Sequence, residues 1–247
     1  MKERGERSLL LYKELCSSLP VFSWDLDEGL SYTQGAVIDQ LNQLTGLTKL
    51  YKPPITKWWQ ITNWLVENEG WDETAARRYE ASLWTDPDIL KKAHPFPGRQ
   101  AFSLTLSPFD IPQHIVTGRK PSLKAATLGW CSYYYPWIGV NNVHIRKSEK
   151  IPAPQFKVET IRNIGANIHF EDSAVDARAV LEGTDAFVVS LLHQGDQGLV
   201  THPRLIEFTD LSFWFFRLQT HQLGEVYGQN YDAKIARILE LATEQGL

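Results

Sequence analysis

Three short polar clusters each follow an apolar run, and their side chains are of the types that handle phosphate. They are Asp25-Leu26-Asp27, Thr117-Gly118-Arg119-Lys120 and Glu171-Asp172-Ser173. A carboxylate can attack phosphorus and form an aspartyl phosphate, and a second carboxylate two residues on can protonate the leaving group. Carboxylates gathered in one place repel one another unless a hard cation lies among them, and Mg²⁺ takes such oxygen ligands together with phosphate oxygens.

The elements that would position these clusters form an alternating pattern. Strands are predicted at residues 21–24, 113–116, 143–145, 168–170 and 187–192, and helices at 121–131, 152–164 and 175–181. Alternation of this kind predicts a parallel sheet with helices on its faces. Ligands of such sheets bind beyond the carboxyl ends of the strands. The three clusters are therefore expected at one edge of the sheet.

Between the first two clusters, residues 32–90 have a helical pattern that is rich in tryptophan. Asp72 is the predicted N-cap of a helix that runs through Ala75, Tyr79 and Leu83. A Pro- and Gly-containing break at 95–98 closes this section. The tryptophans (Trp58, Trp59, Trp64, Trp71 and Trp84) either form the core of a small domain or stack on a nucleobase, and the core interpretation is favoured. Two more helices are predicted, at 7–18 and from Asp232 onward.

The order of the clusters resembles that of the haloacid dehalogenase-like (HAD) superfamily of phosphatases, over roughly residues 20–195. In that family an apolar strand ends in Asp-x-Asp, a Thr or Ser closes a second strand, a Lys follows, and an acidic pair comes after a fourth strand. Here these are Val21-Phe-Ser-Trp-Asp25-Leu-Asp27, Ile115-Val-Thr117, Lys157, and Ile168-His-Phe-Glu171-Asp172. The placement of Lys157 near the start of the preceding helix is similar to the deoxyribonucleotidase-like branch. Lys147 and Lys150 compete with it for the role.

The resemblance implies an α/β fold: a doubly wound, parallel-sheet (Rossmann-like) HAD core with a helical cap inserted after the first strand. The core would comprise residues 1–29 and 98–247, with helical extensions at both ends, and the cap residues 30–97. The implied function is that of a Mg²⁺-dependent phosphate monoester hydrolase, with a 5′-nucleotidase among the candidates.

The resemblance also implies a role for each site residue. Asp25 would be the nucleophile and a Mg²⁺ ligand, and Asp27 the acid/base that gives the metal its backbone carbonyl. Asp172 would complete the metal shell, with Glu171 behind it. Thr117, Gly118 and Lys157 would bind the phosphoryl group. Arg119 stays open as a loop cation or a substrate contact.

One position departs from the family pattern and supports a second hypothesis. The family usually has Gly directly after the second Asp, whereas Glu28-Gly29 stands here. The glycine permits the tight turn that starts the flap, and Glu28 adds negative charge near an anionic substrate. The alternative is a catalytically impaired HAD-like pseudoenzyme that binds a ligand or partner, with the aromatic run at 213–216 as a further indication.

Composition narrows the class of partner. The chain carries 25 basic and 29 acidic residues, a net charge of −4, and it has none of the clustered basic face expected of a nucleic-acid-binding protein. No apolar stretch approaches the length of a membrane span. Its two cysteines, Cys16 and Cys131, lie in no metal or redox spacing and suit a reducing compartment. The expected protein is cytoplasmic and acts on a small phosphorylated molecule, not on a nucleic-acid polymer or a membrane.

Overall fold

The computed structural model describes residues 20–52, 54–55, 57–107, 110–191 and 202–207. The helices predicted at 7–18 and after Asp232, the aromatic run at 213–216 and Cys16 lie outside these residues. No helix in the described part of the chain is long and apolar enough to cross a membrane.

The described elements alternate as the sequence predicts. In chain order they are β1 (Phe22–Trp24), β2 (Ser31–Tyr32), α1 (Thr33–Asn42), α2 (Gln60–Glu69), α3 (Glu73–Leu83), α4 (Pro87–Lys92), β3 (His94–Pro95), α5 (Pro97–Leu106), β4 (Gln113–Thr117), a 3₁₀ turn (Pro121–Leu123), α6 (Lys124–Tyr134), a 3₁₀ turn (Val140–Asn142), β5 (Val143–Ile145), α7 (Ala153–Ile164), β6 (Ile168–Glu171), α8 (Ala174–Gly183), β7 (Phe187–Ser190) and β8 (Leu205–Glu207).

Six of these strands form one parallel sheet in the order β5-β4-β1-β6-β7-β8. The chain moves outward from β1 to β4 and β5, then returns to the other side of β1 with β6. This reversal is the switch point at which doubly wound sheets bind ligands. In register, Trp24 pairs with Ile115 on one side and with Phe170 on the other. The α/β doubly wound class is confirmed, and the ends of β1, β4 and β6 lie side by side.

Apolar side chains cover both faces of the sheet. On one face Trp24 stacks on Phe170 with ring centroids 3.7 Å apart, and Phe102 of α5 packs edge-on against Trp24. On the other face Ile161 of α7 and Val180 of α8 pack against Val188 of β7. Buried rings of this size contribute strongly to stability, and truncating one to alanine typically costs about 3–5 kcal/mol. The sheet therefore holds the site edge on a rigid support.

The helices α1 to α4 share a second apolar cluster. It contains Val37, Leu41, Tyr51, Ile61, Leu65, Ala76, Leu83 and Ile89, with Trp64, Trp71 and Trp84 packed against it. The core interpretation is thus confirmed for these three tryptophans, whereas Trp58 is 77% exposed and Trp59 36%. The short antiparallel pair β2–β3 stands where the chain enters and leaves this section. That arrangement fits a cap of residues 30–97, although the domain boundaries stay a prediction.

Local signals account for several helix ends. Asp72 accepts a hydrogen bond from the Ala75 N–H at 3.0 Å, so the predicted N-cap is confirmed. Gly165 ends α7 in the left-handed region, with φ at 66°. The helix predicted at 121–131 begins as a 3₁₀ turn and continues as α6. Helix α5 was not predicted. It starts at the proline of the 95–98 break, because proline suits the first turn of a helix.

Candidate active site

Asp25 lies directly after β1, in the position that the sequence predicts. Its backbone N–H donates to the Phe170 carbonyl at 2.9 Å, which extends the β1–β6 pairing by one residue. Its carboxylate is buried, and Oδ1 lies 2.8 Å from the Nζ of Lys157. The sheet therefore fixes the position of the predicted nucleophile, and Lys157 is its charged partner.

Lys157, on α7, contacts three carboxylates at once. Its Nζ lies 2.8 Å from Asp25, 2.7 Å from Glu171 and 2.6 Å from Asp176, and its side chain is 3% exposed. Burial alone would lower the pKa of this amine, but the carboxylates raise it well above its usual value. Lys147 and Lys150 are exposed, so Lys157 is the lysine that reaches Asp25. The sequence interpretation missed Asp176, although its position one turn after Asp172 was a usable signal.

Three carboxylates meet at the edge of the sheet. Single oxygens of Asp25, Glu171 and Asp172 lie within 4.8 Å of one another. Burial, and then repulsion from neighbouring carboxylates, raises the pKa of Asp172 well above its usual value, and burial likewise raises that of Asp25. Burial would also raise the pKa of Glu171, but Lys157 and His169 lower it to about 2. Negative charge therefore exceeds positive charge around Asp25 and Asp172.

The donor set of this cluster fits a hard cation. Glu171 is fully buried and uses both oxygens: Oε2 contacts Lys157, and Oε1 accepts the Ser173 N–H at 3.1 Å. That leaves Asp25 and Asp172 as the carboxylates suited to hold Mg²⁺, a cation that takes one or two carboxylates and several waters. The predicted place of Glu171 behind the metal shell stays a prediction.

A buried polar pair supports Glu171 from inside the sheet. His169 Nε2 lies 3.0 Å from Glu171 Oε2, and His169 Nδ1 lies 2.9 Å from the Ser23 hydroxyl. Ser23 and His169 are neighbours in the β1–β6 register and are both fully buried. The sequence interpretation missed this pair. Ser23 and His169 are polar residues within two otherwise apolar strands, and that pattern could have indicated the pair.

Asp27 is held on two sides. Arg119 contacts Oδ1 through Nη2 at 2.6 Å and Oδ2 through Nε at 2.9 Å, and the Thr33 hydroxyl donates to Oδ1 at 2.6 Å. Burial would raise the pKa of Asp27, but the Arg119 guanidinium holds it below its usual value. The Arg119 side chain is 3% exposed and that of Asp27 37%. Arg119 is therefore a buried partner of Asp27, a contact that the sequence left open.

The turn after Asp27 contains the departure from the family pattern. Glu28 has a left-handed backbone with φ at 54°, which is costly for a residue other than glycine. Its carboxylate accepts the Gln34 N–H at 2.6 Å, in the first turn of α1. Burial raises the pKa of Glu28 to about 7. At Gly29 a Cβ would lie 2.1 Å from the Asp25 carbonyl oxygen, so only glycine fits there.

Thr117 ends β4 beside β1, as predicted, and is buried. Its hydroxyl accepts the Arg119 backbone N–H at 3.3 Å. A Cβ at Gly118 would lie 2.7 Å from that of Ala153, so this glycine lets the start of α7 approach the loop after β4. Helix α7 carries Lys157. The phosphate-binding roles of Thr117, Gly118 and Lys157 stay predictions.

Solved structures share this fold. A HAD family hydrolase from Deinococcus radiodurans R1, with bound phosphate and sodium, is 13% identical with a TM-score of 0.52, and the match covers 85% of this chain and 97% of the other. A dehalogenase is 14% identical with a TM-score of 0.51, over 80% of this chain and 96% of the other. The chain matches no family profile. No curated protein matches it in sequence.

The fold of this protein is therefore the HAD-like α/β fold, in agreement with the resemblance seen in the sequence. The neighbours do not single out the deoxyribonucleotidase-like branch, which stays a prediction.

Proposed function

We propose that the protein is a Mg²⁺-dependent phosphate monoester hydrolase that works through an aspartyl phosphate on Asp25. The observation that carries the proposal is the arrangement around Asp25: Lys157 lies 2.8 Å from its carboxylate, and the Glu171 and Asp172 carboxylates lie within 4.8 Å. An anionic nucleophile beside a fixed cation and a hard-cation site has the parts that phosphoryl transfer requires. The bound phosphate of the Deinococcus hydrolase agrees with this choice.

The reaction proceeds in two displacements. Asp25 attacks the phosphorus, the ester P–O bond breaks, and the leaving oxygen takes a proton from Asp27. A water then gives its proton to Asp27 and attacks the same phosphorus, which releases phosphate and restores the Asp25 carboxylate. Lys157 and Thr117 hold the phosphoryl oxygens. Asp25, Asp172 and the Asp27 carbonyl would hold Mg²⁺, which when bound would supply positive charge against those oxygens.

The lowered pKa of Asp27 suits the second displacement, in which it accepts a proton. The Arg119 pair keeps this carboxylate ionised when no substrate is present, the form that accepts a proton from water. A phosphoryl group bound nearby raises the pKa of the carboxyl by repulsion. This repulsion shifts Asp27 toward the protonated form that the leaving group needs, in opposition to Arg119.

The substrate is proposed to be a small phosphorylated molecule in the cytoplasm, not a nucleic-acid polymer or a membrane lipid. Nucleotides come first among the candidates for a 5′-nucleotidase, because Trp58 and Trp59 are exposed in the 30–97 section. Exposed indole rings are surfaces on which a nucleobase can stack.

The direct test is a phosphatase panel of nucleotides, sugar phosphates and p-nitrophenyl phosphate, with and without Mg²⁺. Asp25→Asn removes the attacking anion at constant shape, so turnover should fall at least ~10³-fold, or about 4 kcal/mol of barrier. Asp39→Asn, on an exposed face of α1, is the matched control and should keep wild-type activity. Wild-type turnover that persists in EDTA, or an active Asp25→Asn variant, would contradict the proposal.

A second test needs no substrate. Beryllium trifluoride imitates a phosphoryl group on a carboxylate oxygen, so together with Mg²⁺ it should bind Asp25 and stabilise the protein. At a hundredfold excess over Kd the gain is about 2.7 kcal/mol, or roughly 5–11 °C in melting temperature for a chain of this size. The shift should require both Mg²⁺ and fluoride and vanish in Asp25→Ala. A flat response in wild type would favour the binding-module alternative.

A further inference from the structure

Arg119 is buried at the site edge, and its side-chain hydrogen bonds are directed at polar partners within the protein. Nε and Nη2 contact the Asp27 carboxylate, and Nη1 donates to the Thr127 hydroxyl of α6 at 3.3 Å. The planar guanidinium fork matches a carboxylate in a way that a lysine amine cannot. With 3% of its side chain exposed, Arg119 is oriented toward Asp27 and not toward the solvent side, from which a substrate would enter.

The contacts distinguish the two oxygens of Asp27. Oδ1 accepts hydrogen bonds from Arg119 Nη2 at 2.6 Å and from Thr33 at 2.6 Å, with Arg119 Nε also within 3.1 Å. Oδ2 accepts the Arg119 Nε bond at 2.9 Å. A carboxylate oxygen offers about two lone-pair sites. Oδ1 is therefore saturated, and Oδ2 keeps a lone pair for a proton.

We propose that Arg119 is a positioning residue that fixes Asp27 so that Oδ2 carries the proton between the protein and the leaving group; this inference rests on the proposed hydrolase function. Proton transfer requires that the acid oxygen and the leaving oxygen lie within hydrogen-bond distance of each other. Arg119 maintains that geometry by preventing rotation of the Asp27 carboxylate. Thr33 assists from the first residue of α1.

The same arginine links proton transfer to phosphate binding. Its backbone N–H donates to the Thr117 hydroxyl at 3.3 Å, while its side chain holds Asp27. One residue thus sets the spacing between the predicted phosphate contact and the acid/base. A displacement of about 1 Å in such an arrangement can cost a large factor in rate.

Leaving-group dependence tests the inference, because a poor leaving group needs its proton and a good one does not. The probes are phenyl phosphate and p-nitrophenyl phosphate, which are similar in size and differ strongly in leaving-group basicity. In Arg119→Gln, kcat/KM on phenyl phosphate, which reports the steps up to the aspartyl phosphate, should fall by ~10²-fold or more, within the range of general acid catalysis. On p-nitrophenyl phosphate it should fall by about tenfold or less. Arg119→Lys should recover only part of the loss.

Two controls separate positioning from damage to the fold. Arg162→Gln, at an exposed position near the end of α7, should leave both rates unchanged. Asp27→Asn should show the same preference for p-nitrophenyl phosphate, and adding Arg119→Gln to it should not increase that preference. Equal losses of kcat/KM on both esters, in Arg119→Gln and Arg119→Lys alike, would overturn the inference.

The proposed function and the inference fail in different ways. Magnesium-dependent turnover in wild type together with leaving-group-independent losses at Arg119 overturns only the role of Arg119. No turnover of either ester by wild type overturns the hydrolase function and this inference with it.

Discussion

Charge is unevenly distributed among the side chains of the site. Lys157 faces Asp25, Glu171 and Asp176, while Asp172 lies beside Asp25 and Glu171. One ammonium therefore stands against four carboxylates. Burial, and after it repulsion from neighbouring carboxylates, raises the pKa values of Asp25 and Asp172 above their usual range. Without a cation, these two groups oppose folding at neutral pH, because the folded state disfavours their charged forms.

Removing one of these charges should stabilise the metal-free protein. Asp172→Asn relieves the repulsion, so its melting temperature in EDTA should exceed that of wild type by about 2–4 °C for each kcal/mol of relief. The same variant should lose the stabilisation that Mg²⁺ gives wild type. Thermal scans with EDTA and with Mg²⁺ measure both effects, and Asp39→Asn serves as the surface control. An Asp172→Asn variant that is less stable in EDTA would contradict this account.

Glu28 should make stability depend on pH. Its pKa is raised from 4.5 to about 7, so the folded state holds a proton that the unfolded state loses. The associated stability is present below pH 4.5 and is lost as the pH rises through about 7. Each pH unit by which a pKa is raised is worth about 1.4 kcal/mol. Between pH 5 and 8, melting temperature should fall less in Glu28→Gln, which imitates the neutral acid, than in wild type. Parallel pH profiles would show that Glu28 has no such role.

At the scale of elements, the flap turn depends on close backbone contacts. The N–H groups of Leu30 and Ser31 both donate to the Leu26 carbonyl, at 2.9 and 2.8 Å. Gly29 lies in the middle of this turn, where any side chain would collide with the Asp25 carbonyl oxygen. The turn therefore determines the backbone position of the nucleophile as well as its own shape.

Two Gly→Ala variants distinguish the steric collision at Gly29 from the general effect of replacing a glycine by alanine. Gly29→Ala should shift the backbone at Asp25, lowering both the melting temperature and the turnover of p-nitrophenyl phosphate. Gly129→Ala, in α6 with no atom within 4 Å of the new Cβ, should instead raise stability by up to ~1 kcal/mol through helix propensity. A Gly29→Ala variant with normal stability and rate would mean that the turn adapts readily.

The sequence predicted the elements whose signals are local. Strands β1, β4 and β6 were found because apolar runs end abruptly at polar residues, and the alternation with helices predicted their parallel pairing. Asp72 and Gly165 were also local signals, the first for the start of a helix and the second for the end of one. Helix α5 was missed because its proline reads equally as a break or as a helix start. Strand β8, Leu205–Glu207, was not predicted either.

Contacts across the fold were beyond the reach of the sequence. Asp27 and Arg119 are 92 residues apart, and a cation in a loop has many possible partners. The buried chain from Ser23 through His169 to Glu171 depends on a strand register that periodicity does not define. By contrast, Asp25 and Asp172 were expected at one edge because each follows a strand, and their oxygens lie within 4.8 Å. Lys157, which contacts Asp25, was indicated by the family resemblance.

At the scale of the molecule, the described residues contain separate apolar clusters. One lies under the sheet around Trp24 and Phe170, and another lies among α1 to α4 around Leu65. Hydrogen bonds also join the two regions, such as that from the Trp130 indole N–H to the Ala93 carbonyl at 2.7 Å. Separate cores are the usual mark of separate domains.

Hydrogen exchange should decide whether residues 30–97 form their own domain. Leu65→Ala removes a fully buried side chain from the helical cluster, a change that typically costs about 2–5 kcal/mol. Amides of α1 to α4 should then exchange faster, while those of β6 and β7 keep their wild-type protection. Val189→Ala, in β7, is the matched change in the sheet and should have the opposite pattern. Uniform acceleration in both variants would indicate one cooperative unit.

The contacts of Lys157 also have an evolutionary consequence. Removing one partner from a buried ion pair typically costs about 3–5 kcal/mol. Lys157 balances three carboxylates, one directly after β1, one in β6 and one in α8. If this lysine is substituted during evolution, the carboxylates must be substituted by neutral residues at about the same time for the protein to stay folded. Descendants are therefore expected to inherit the lysine and its acidic partners together, or to lose them together.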